Sequence, residues 1–310
     1  MESGGKSGPA VPSAKVADLS VAQRLLVAAF VVVGVWYLAW RPGTFNPEAT
    51  LFSAVVYGAE VFGFACAMLY LVMCWRLQRR APLPVPAHAT VAVFVPTINE
   101  SVDIVRRTLM AAQRMKHAHE VWLLDDGNRL EMHVLAEELG CRYLARTNNH
   151  HAKAGNLNNA LRHTKAEFIA IFDADHAPAP SFLEETLGFF GDDRVAFVQT
   201  PQDFYNLDSF QNRTDAGSHV AWSEQSLFFR VIQRGKDYWN AAFYCGSCAV
   251  IRRQSLDSIG GFATGTVTED IHTSLLLHKK GYRSVYHDEA LAYGVAPSKI
   301  EPFLKQRVRW

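Results

Sequence analysis

Two aspartates at alternate positions, Asp173-Ala174-Asp175, come directly after the apolar run Phe168–Phe172. Burying such a pair is costly unless a cation or hydrogen-bond donors satisfy it. A hard divalent ion holding a diphosphate would do so, because Mg²⁺ takes a few carboxylate oxygens and completes its shell with phosphate and water. Asp is also common in turns, so the pair can instead open a turn into a helix capped by Ser181. Asp125-Asp126-Gly127 stands in the same relation to the run Glu120–Leu124. At a strand end it can accept hydrogen bonds from a nucleoside base or ribose, or form an ordinary turn. In His151-Ala152-Lys153-Ala154-Gly155-Asn156, Lys153 would offset phosphate charge and Gly155 would admit close backbone approach; a basic loop leading into a helix is the plainer alternative. Thr268-Glu269-Asp270 opens a helical stretch. Thr268 suits an N-cap, and Asp270 suits a general base that takes a proton from a sugar hydroxyl. Gln306-Arg307-Val308-Arg309-Trp310 offers a flat apolar face for a sugar ring at Trp310 and a diphosphate-stabilising cation at Arg309. The competing reading is a basic amphipathic helix lying on a membrane surface.

The elements that must position these residues alternate. Val91–Val95 reads as a strand, Ser101–Met115 as a helix, Glu120–Leu124 as a strand, and Leu130–Leu139 as a helix stopped by Gly140. Cys141–Ala145 reads as a strand, Asn156–His163 as a helix, Phe168–Phe172 as a strand, Ser181–Phe190 as a capped helix and Val195–Gln199 as a strand. Residues 203–240 are less regular. Phe243–Arg253 contains a strand, Gly260-Gly261-Phe262 is a turn, Glu269–Lys280 is a helix and Ser284–His287 is a short strand. This alternation predicts an α/β domain with a mostly parallel sheet flanked by helices. Ligands in such sheets bind beyond the carboxyl ends of the strands, which is where the acidic pairs fall.

The 310 residues carry a formal net charge of +1, which argues against a nucleic-acid binder. The five cysteines include Cys245-Gly246-Ser247-Cys248 but no second pair at metal-ligand spacing, and fit reduced thiols. Residues 1–20, rich in small and polar residues, read as a disordered leader. Residues 21–80 hold two apolar runs, Leu25–Trp40 and Leu51–Trp75, flanked by aromatic residues and predicted to be transmembrane helices. Lys6, Lys15 and Arg24 precede the first run, and Arg76, Arg79 and Arg80 come after the second. The positive-inside rule therefore places the N-terminus and everything after residue 76 in the cytoplasm. Glu60, inside the second run, should face a water-filled cavity or protein, such as a helix that this chain does not contain. Residues 81–90 form a proline-rich linker, 91–300 the cytosolic domain and 301–310 the start of an interfacial helix.

Taken in order, Pro96-Thr97-Ile98-Asn99-Glu100, Asp125-Asp126-Gly127, His151–Asn156, Asp173-Ala174-Asp175, Gln199-Thr200-Pro201, Phe243–Ser247, Gly260-Gly261-Phe262, Thr268-Glu269-Asp270 and Gln306–Trp310 resemble the processive family 2 glycosyltransferases. The likeness is to bacterial cellulose synthase catalytic subunits and the related curdlan-type β-glucan synthases. It implies a GT-A-type fold and inverting transfer of glucose from UDP-glucose to a growing β-glucan, with Mg²⁺ or Mn²⁺ as cofactor. Thr97, Glu100, Asp125, Asp126 and Lys153 would serve the donor nucleotide, and Asp173 and Asp175 the metal and diphosphate. Cys245, Gly246, Ser247, Glu269 and Trp310 would border the acceptor, and Asp270 would be the base. Gln306, Arg307 and Arg309 would lie at the diphosphate and the mouth of the site. The resemblance also implies a multi-pass protein of the plasma (inner) membrane, of which this chain is a fragment ending at Q-x-x-R-W, working in the lipid bilayer with further membrane or periplasmic subunits. Two departures stand out: Ile98 replaces a common aromatic, and Phe243-Tyr244 replaces Phe-Phe. Curdlan-type, chitin and hyaluronan synthases share the motifs. An inactive scaffold of the same fold and a non-processive transferase acting on a lipid carrier are the other readings.

Overall fold

The computed structural model describes residues 14–86, 88–206, 208–209, 212–214 and 220–309, with backbone alone at 14, 15, 212–214, 220–222 and 309. Strand β1 (Ala14–Asp18) pairs antiparallel with β2 (Arg76–Arg80), and the helices α1 (Val21–Trp40) and α2 (Thr50–Met73) lie between them in the chain. Composition assigns everything before residue 21 to an unstructured leader. The ladder with β2 overrides it at residues 14–18, and Ser20 closes a capping box with Gln23 at the start of α1. Both helices are long and apolar enough to cross a bilayer, and the apolar stretch of neither is buried in the protein. Glu60 faces protein: it accepts from the Tyr37 hydroxyl at 3.1 Å and pairs with Arg41 Nε at 3.2 Å, both from α1 and its exit.

The remainder runs β3 (Val91–Thr97), α3 (Val102–Gln113), β4 (His119–Asp125), α4 (Leu130–Glu138), β5 (Arg142–Ala145), α5 (Ala152–Leu161) and β6 (Phe168–Ile171). Then come β7 (Ala177–Pro178), α6 (Phe182–Leu187), β8 (Val195–Gln199), β9 (Asp203–Phe204), β10 (Asn212–Thr214) and β11 (Val220–Ser223). The last group is α7 (Gln233–Tyr238), β12 (Ala249–Arg252), α8 (Arg253–Ser258), α9 (Glu269–Lys279), β13 (Arg283–Tyr286), β14 (Ala292–Gly294) and α10 (Ile300–Arg309). Seven strands form the main sheet in the order β13-β8-β12-β6-β3-β4-β5, parallel except for β12. β7, β14 and β9 form a small second sheet. Neither Ser181 nor Thr268 makes the side-chain cap expected of it.

Period-two alternation builds a core on each face of the sheet. Val91, Val93 and Val95 of β3 join Val121 and Leu123 of β4 in one cluster, while Ala92 and Phe94 join Trp122 and Leu124 in the other. The helical hairpin is fastened to this domain through β2. Arg80 Nε donates to Asp237 Oδ2 at 2.8 Å, both side chains being buried, and the Tyr286 N–H donates to Asp237 Oδ1 at 3.0 Å. At Gly235 a Cβ would stand 2.5 Å from the Met73 carbonyl oxygen, so α7 can abut the end of α2 only with glycine there. Asp237→Ala leaves Arg80 buried without its partner. It is expected to destabilise the domain by about 3–5 kcal/mol, read as a lowered urea midpoint; an unchanged midpoint would contradict the fastening role.

Candidate active site

Strands β3, β4, β6 and β8 run the same way and end at one edge of the sheet. Thr97 and Asp125 are register partners there, and Asp173 lies just beyond β6. Because β12 is antiparallel, its beginning reaches that same edge: Ala249 pairs with both Ile171 and Gln199. The Cys245–Cys248 approach to β12 therefore arrives beside the acidic strand ends.

Three side chains hold this approach through four hydrogen bonds to its backbone. The Gln199 amide donates to the Ser247 carbonyl at 2.8 Å and its oxygen accepts from the Cys245 N–H at 2.8 Å. The Gln202 amide donates to the Cys245 carbonyl at 3.1 Å, and the Tyr244 hydroxyl donates to the Gly246 carbonyl at 2.6 Å. Gly246 itself sits at φ +81°, a conformation that favours glycine. The Lys153 ammonium donates to the Gly246 carbonyl at 2.7 Å and forms an ion pair with Asp173. Asp270 lies close by: a Cβ at Gly246 would be 3.4 Å from Asp270 Oδ2 and 3.7 Å from Lys153 Nζ. Ser274 of α9 accepts from the Tyr244 N–H at 2.8 Å and so sets the helix that presents Asp270. The bare backbone of one glycine thus leaves room beside it for both the Lys153–Asp173 pair and the Asp270 carboxylate.

The family described as Glycosyl transferase family 2 matches residues 92–260, which include the strand ends, Lys153, Asp173 and Gly246. The chain belongs to glycosyl transferase family 2. It is 42% identical over 298 residues to the cellulose synthase catalytic subunit [UDP-forming] of Pseudomonas fluorescens, covering 92% of this chain and 40% of that protein. It is 41% identical over 292 residues to cellulose synthase 2 of Novacetimonas hansenii, covering 90% of this chain and 18% of that protein. The chain thus spans two fifths or less of the length of these relatives. Among solved structures, a mannosyltransferase from Pyrobaculum calidifontis in complex with GDP-Man and Mn²⁺ matches with a TM-score of 0.58 at 22% identity. That match covers 83% of this chain and 70% of that one, and shows the GT-A fold.

In this family 2 chain several residues read as ligand contacts also hold partners within the protein. Asp125 is fully buried and accepts from the Gly127 and Arg129 N–H groups at 3.0 and 2.7 Å, from the Arg129 guanidinium at 3.1 Å and from the Tyr143 hydroxyl at 3.1 Å. Asp126 forms a two-pronged pair with Arg146 at 2.6 and 2.7 Å. Both are held at the strand end by these donors. Ser247 is buried, and its Oγ accepts from the Asp173 N–H at 2.8 Å. The Cys245 thiol is turned to the Gln233 amide at 3.0 Å. Glu100 closes the turn after β3, accepting from Thr97 Oγ at 2.7 Å and the Ile98 N–H at 2.9 Å. Burial pushes its carboxyl up, but these donors outweigh that and hold it below the ordinary carboxylate range. Arg129 and Arg146 have no motif to announce them, because the loops alone bring them to their aspartates. His176 has one, its adjacency to Asp173-Ala174-Asp175: its Nδ1 lies 2.8 Å from Asp175 Oδ1.

Glu269 and Asp270 are half-buried at the start of α9, and burial first raises the carboxyl of each above its ordinary value. Nearby Lys153 pulls both back down, while Asp173 adds to the rise. Burial likewise works against the charge of the Lys153 ammonium, but Asp173, Glu269 and Asp270 together keep its pKa above the usual lysine value. Along α10, Arg307 pairs with Glu224 at 2.6 Å and its guanidinium lies 4.9 Å from the Phe303 ring centre. The Gln306 Oε1 is buried without a partner among the described residues. The Arg309 side chain and Trp310, which the sequence places at the phosphates and acceptor, lie outside the described residues.

Proposed function

We propose that this chain is the catalytic region of a membrane-anchored, processive transferase that moves glucose from UDP-glucose to the end of a growing β-glucan, with cellulose as product. The observation that carries it is the convergence at Gly246 of Lys153, Asp173 and Asp270. The relatives, cellulose synthases by name and in Pseudomonas fluorescens a UDP-forming catalytic subunit, and the Thr268-Glu269-Asp270 and Gln306–Trp310 motifs support it. The exposed apolar faces of α1 and α2 support placement in the inner membrane, with the sheet domain on the cytoplasmic side.

The acidic pair fits a divalent ion. Ligand atoms of Asp173, Asp175 and His176 lie within 4.8 Å of one another, and the buried His176 Nε2 has no hydrogen-bond partner among the described residues. The two carboxylates suit Mg²⁺ or Mn²⁺, whose shell phosphate and water oxygens complete. Asp173 and Asp175 would hold the ion, which would neutralise charge on the departing diphosphate when bound. The turn Thr97–Glu100 and the Asp125–Arg129 network shape the nucleotide pocket. Asp270 takes the proton of the acceptor hydroxyl as that oxygen bonds to the anomeric carbon and the bond to UDP breaks, inverting the centre. Lys153 keeps Asp173 and the Gly246 carbonyl in register, so the donor and acceptor halves stay aligned. Release of UDP from UDP-glucose and from UDP-N-acetylglucosamine tests the donor. The reading expects release from UDP-glucose only; equal release from both would contradict it.

A further inference from the structure

Apart from the active site, a second cluster joins α6 to the residues just after β13. Ligand atoms of Glu185, His287 and Glu289 all lie within 4.8 Å of one another. His287 is only 4% exposed, yet neither ring nitrogen has a hydrogen-bond partner among the described residues. Its Nε2 stands 3.5 Å from Glu289 Oε2, an ion-pair separation rather than a hydrogen bond. The ring is held in place: the His287 N–H donates to the Gln199 carbonyl at 2.9 Å, and the Phe189 ring packs 5.5 Å away. The Glu289 N–H donates to the His287 carbonyl at 2.9 Å, a tight turn that brings both side chains to α6. The neighbouring Asp288 is already engaged by Arg230 and Arg234, at 3.3 and 3.2 Å.

We propose that Glu185, His287 and Glu289 bind a zinc-type divalent ion that clamps the end of β13 to α6. One imidazole and two carboxylates suit Zn²⁺ with a water as fourth ligand, and suit Mg²⁺ poorly. Tetrahedral Zn²⁺ with bonds of ~2.0–2.2 Å spaces its ligand atoms roughly 3.3–3.5 Å apart, which the Glu289–His287 separation already meets. The clamp shares no residue with Asp173, Asp175 and His176. It fixes the segment that leads from the edge of the main sheet to β14, and so toward α10. It stands independently of the proposed transfer reaction.

The test uses detergent-solubilised protein carrying Asp173→Asn and Asp175→Asn, stripped with chelator and then exposed to Zn²⁺. Metal content is measured by mass spectrometry after gel filtration, and stability by thermal unfolding. The expected result is one zinc per chain and a Tm raised by several degrees. His287→Gln and the more conservative, exposed-site change Glu289→Gln should each lose the zinc and the shift while keeping the helical circular dichroism. No zinc in the parent, or the same zinc in a folded His287→Gln or Glu289→Gln, would overturn the proposal.

Discussion

Asp270→Asn is expected to slow glycosyl transfer by about 10²–10⁴-fold, the usual contribution of a positioned general base, with UDP affinity unchanged. The change keeps the shape at the start of α9 and removes the proton acceptor only. UDP affinity should survive because Asp270 is assigned to the acceptor hydroxyl, while Lys153 and Asp173 pair with each other. Isothermal titration with UDP beside a transfer assay separates the two quantities, and parallel loss of both would make Asp270 a nucleotide ligand. The acid side of the rate profile carries the same signature. Burial raises the Asp270 carboxyl, so the base is lost to protonation at a pH above the ordinary aspartate range. Folding runs the other way. A carboxyl raised in the folded state favours folding fully below its unfolded pKa, and that contribution disappears as pH rises through the folded value. Ionised Asp270 is therefore a cost to the fold at neutral pH, and the Asn variant should be at least as stable as the parent.

The double change Asp173→Asn with Asp175→Asn is expected to lower transfer by about 10²–10³-fold, in line with the several kcal/mol that a bound ion supplies. UDP affinity should lose its dependence on Mn²⁺ or Mg²⁺. The fold should persist, because Lys153 keeps its bond to the Gly246 carbonyl and the Asp173 N–H keeps Ser247 Oγ. Adding EDTA to the parent should reproduce the loss, and fresh metal should restore the parent but not the variant. UDP affinity that still rises with Mn²⁺ in the double variant would move the metal away from this pair.

How much of the fold and site was legible in the sequence depends on what each signal rests on. The strands at Val91, Glu120, Phe168 and Val195 could be read because their β-branched and aromatic runs are buried on both faces. The acidic pairs at their ends then implied one cleft. What periodicity could not supply was the reversed direction of β12, which alone brings Cys245–Cys248 to that cleft. Residues 203–240 hid short strands, a π-helical turn at Phe228–Ile232 and α7, because aromatic and polar residues are mixed there without a period. Motif reading also assigned roles by residue type. Asp125, Asp126, Ser247 and Cys245 carry donors and acceptors fit for ligands, and motif reading could not show that Arg129, Arg146, the Asp173 backbone and Gln233 also bond them. Which partners meet depends on loops distant in sequence. Asp270 and Lys153, from motifs far apart in sequence, come together because glycine at 246 leaves room for both.

The most direct measurement is incubation of membranes containing the protein with radiolabelled UDP-glucose and Mg²⁺, and then digestion of the product with linkage-specific glucanases. The account predicts labelled polymer that an endo-β-1,4-glucanase degrades and a β-1,3-glucanase leaves intact. No incorporation from UDP-glucose, or a polymer resistant to every β-glucanase, would contradict it.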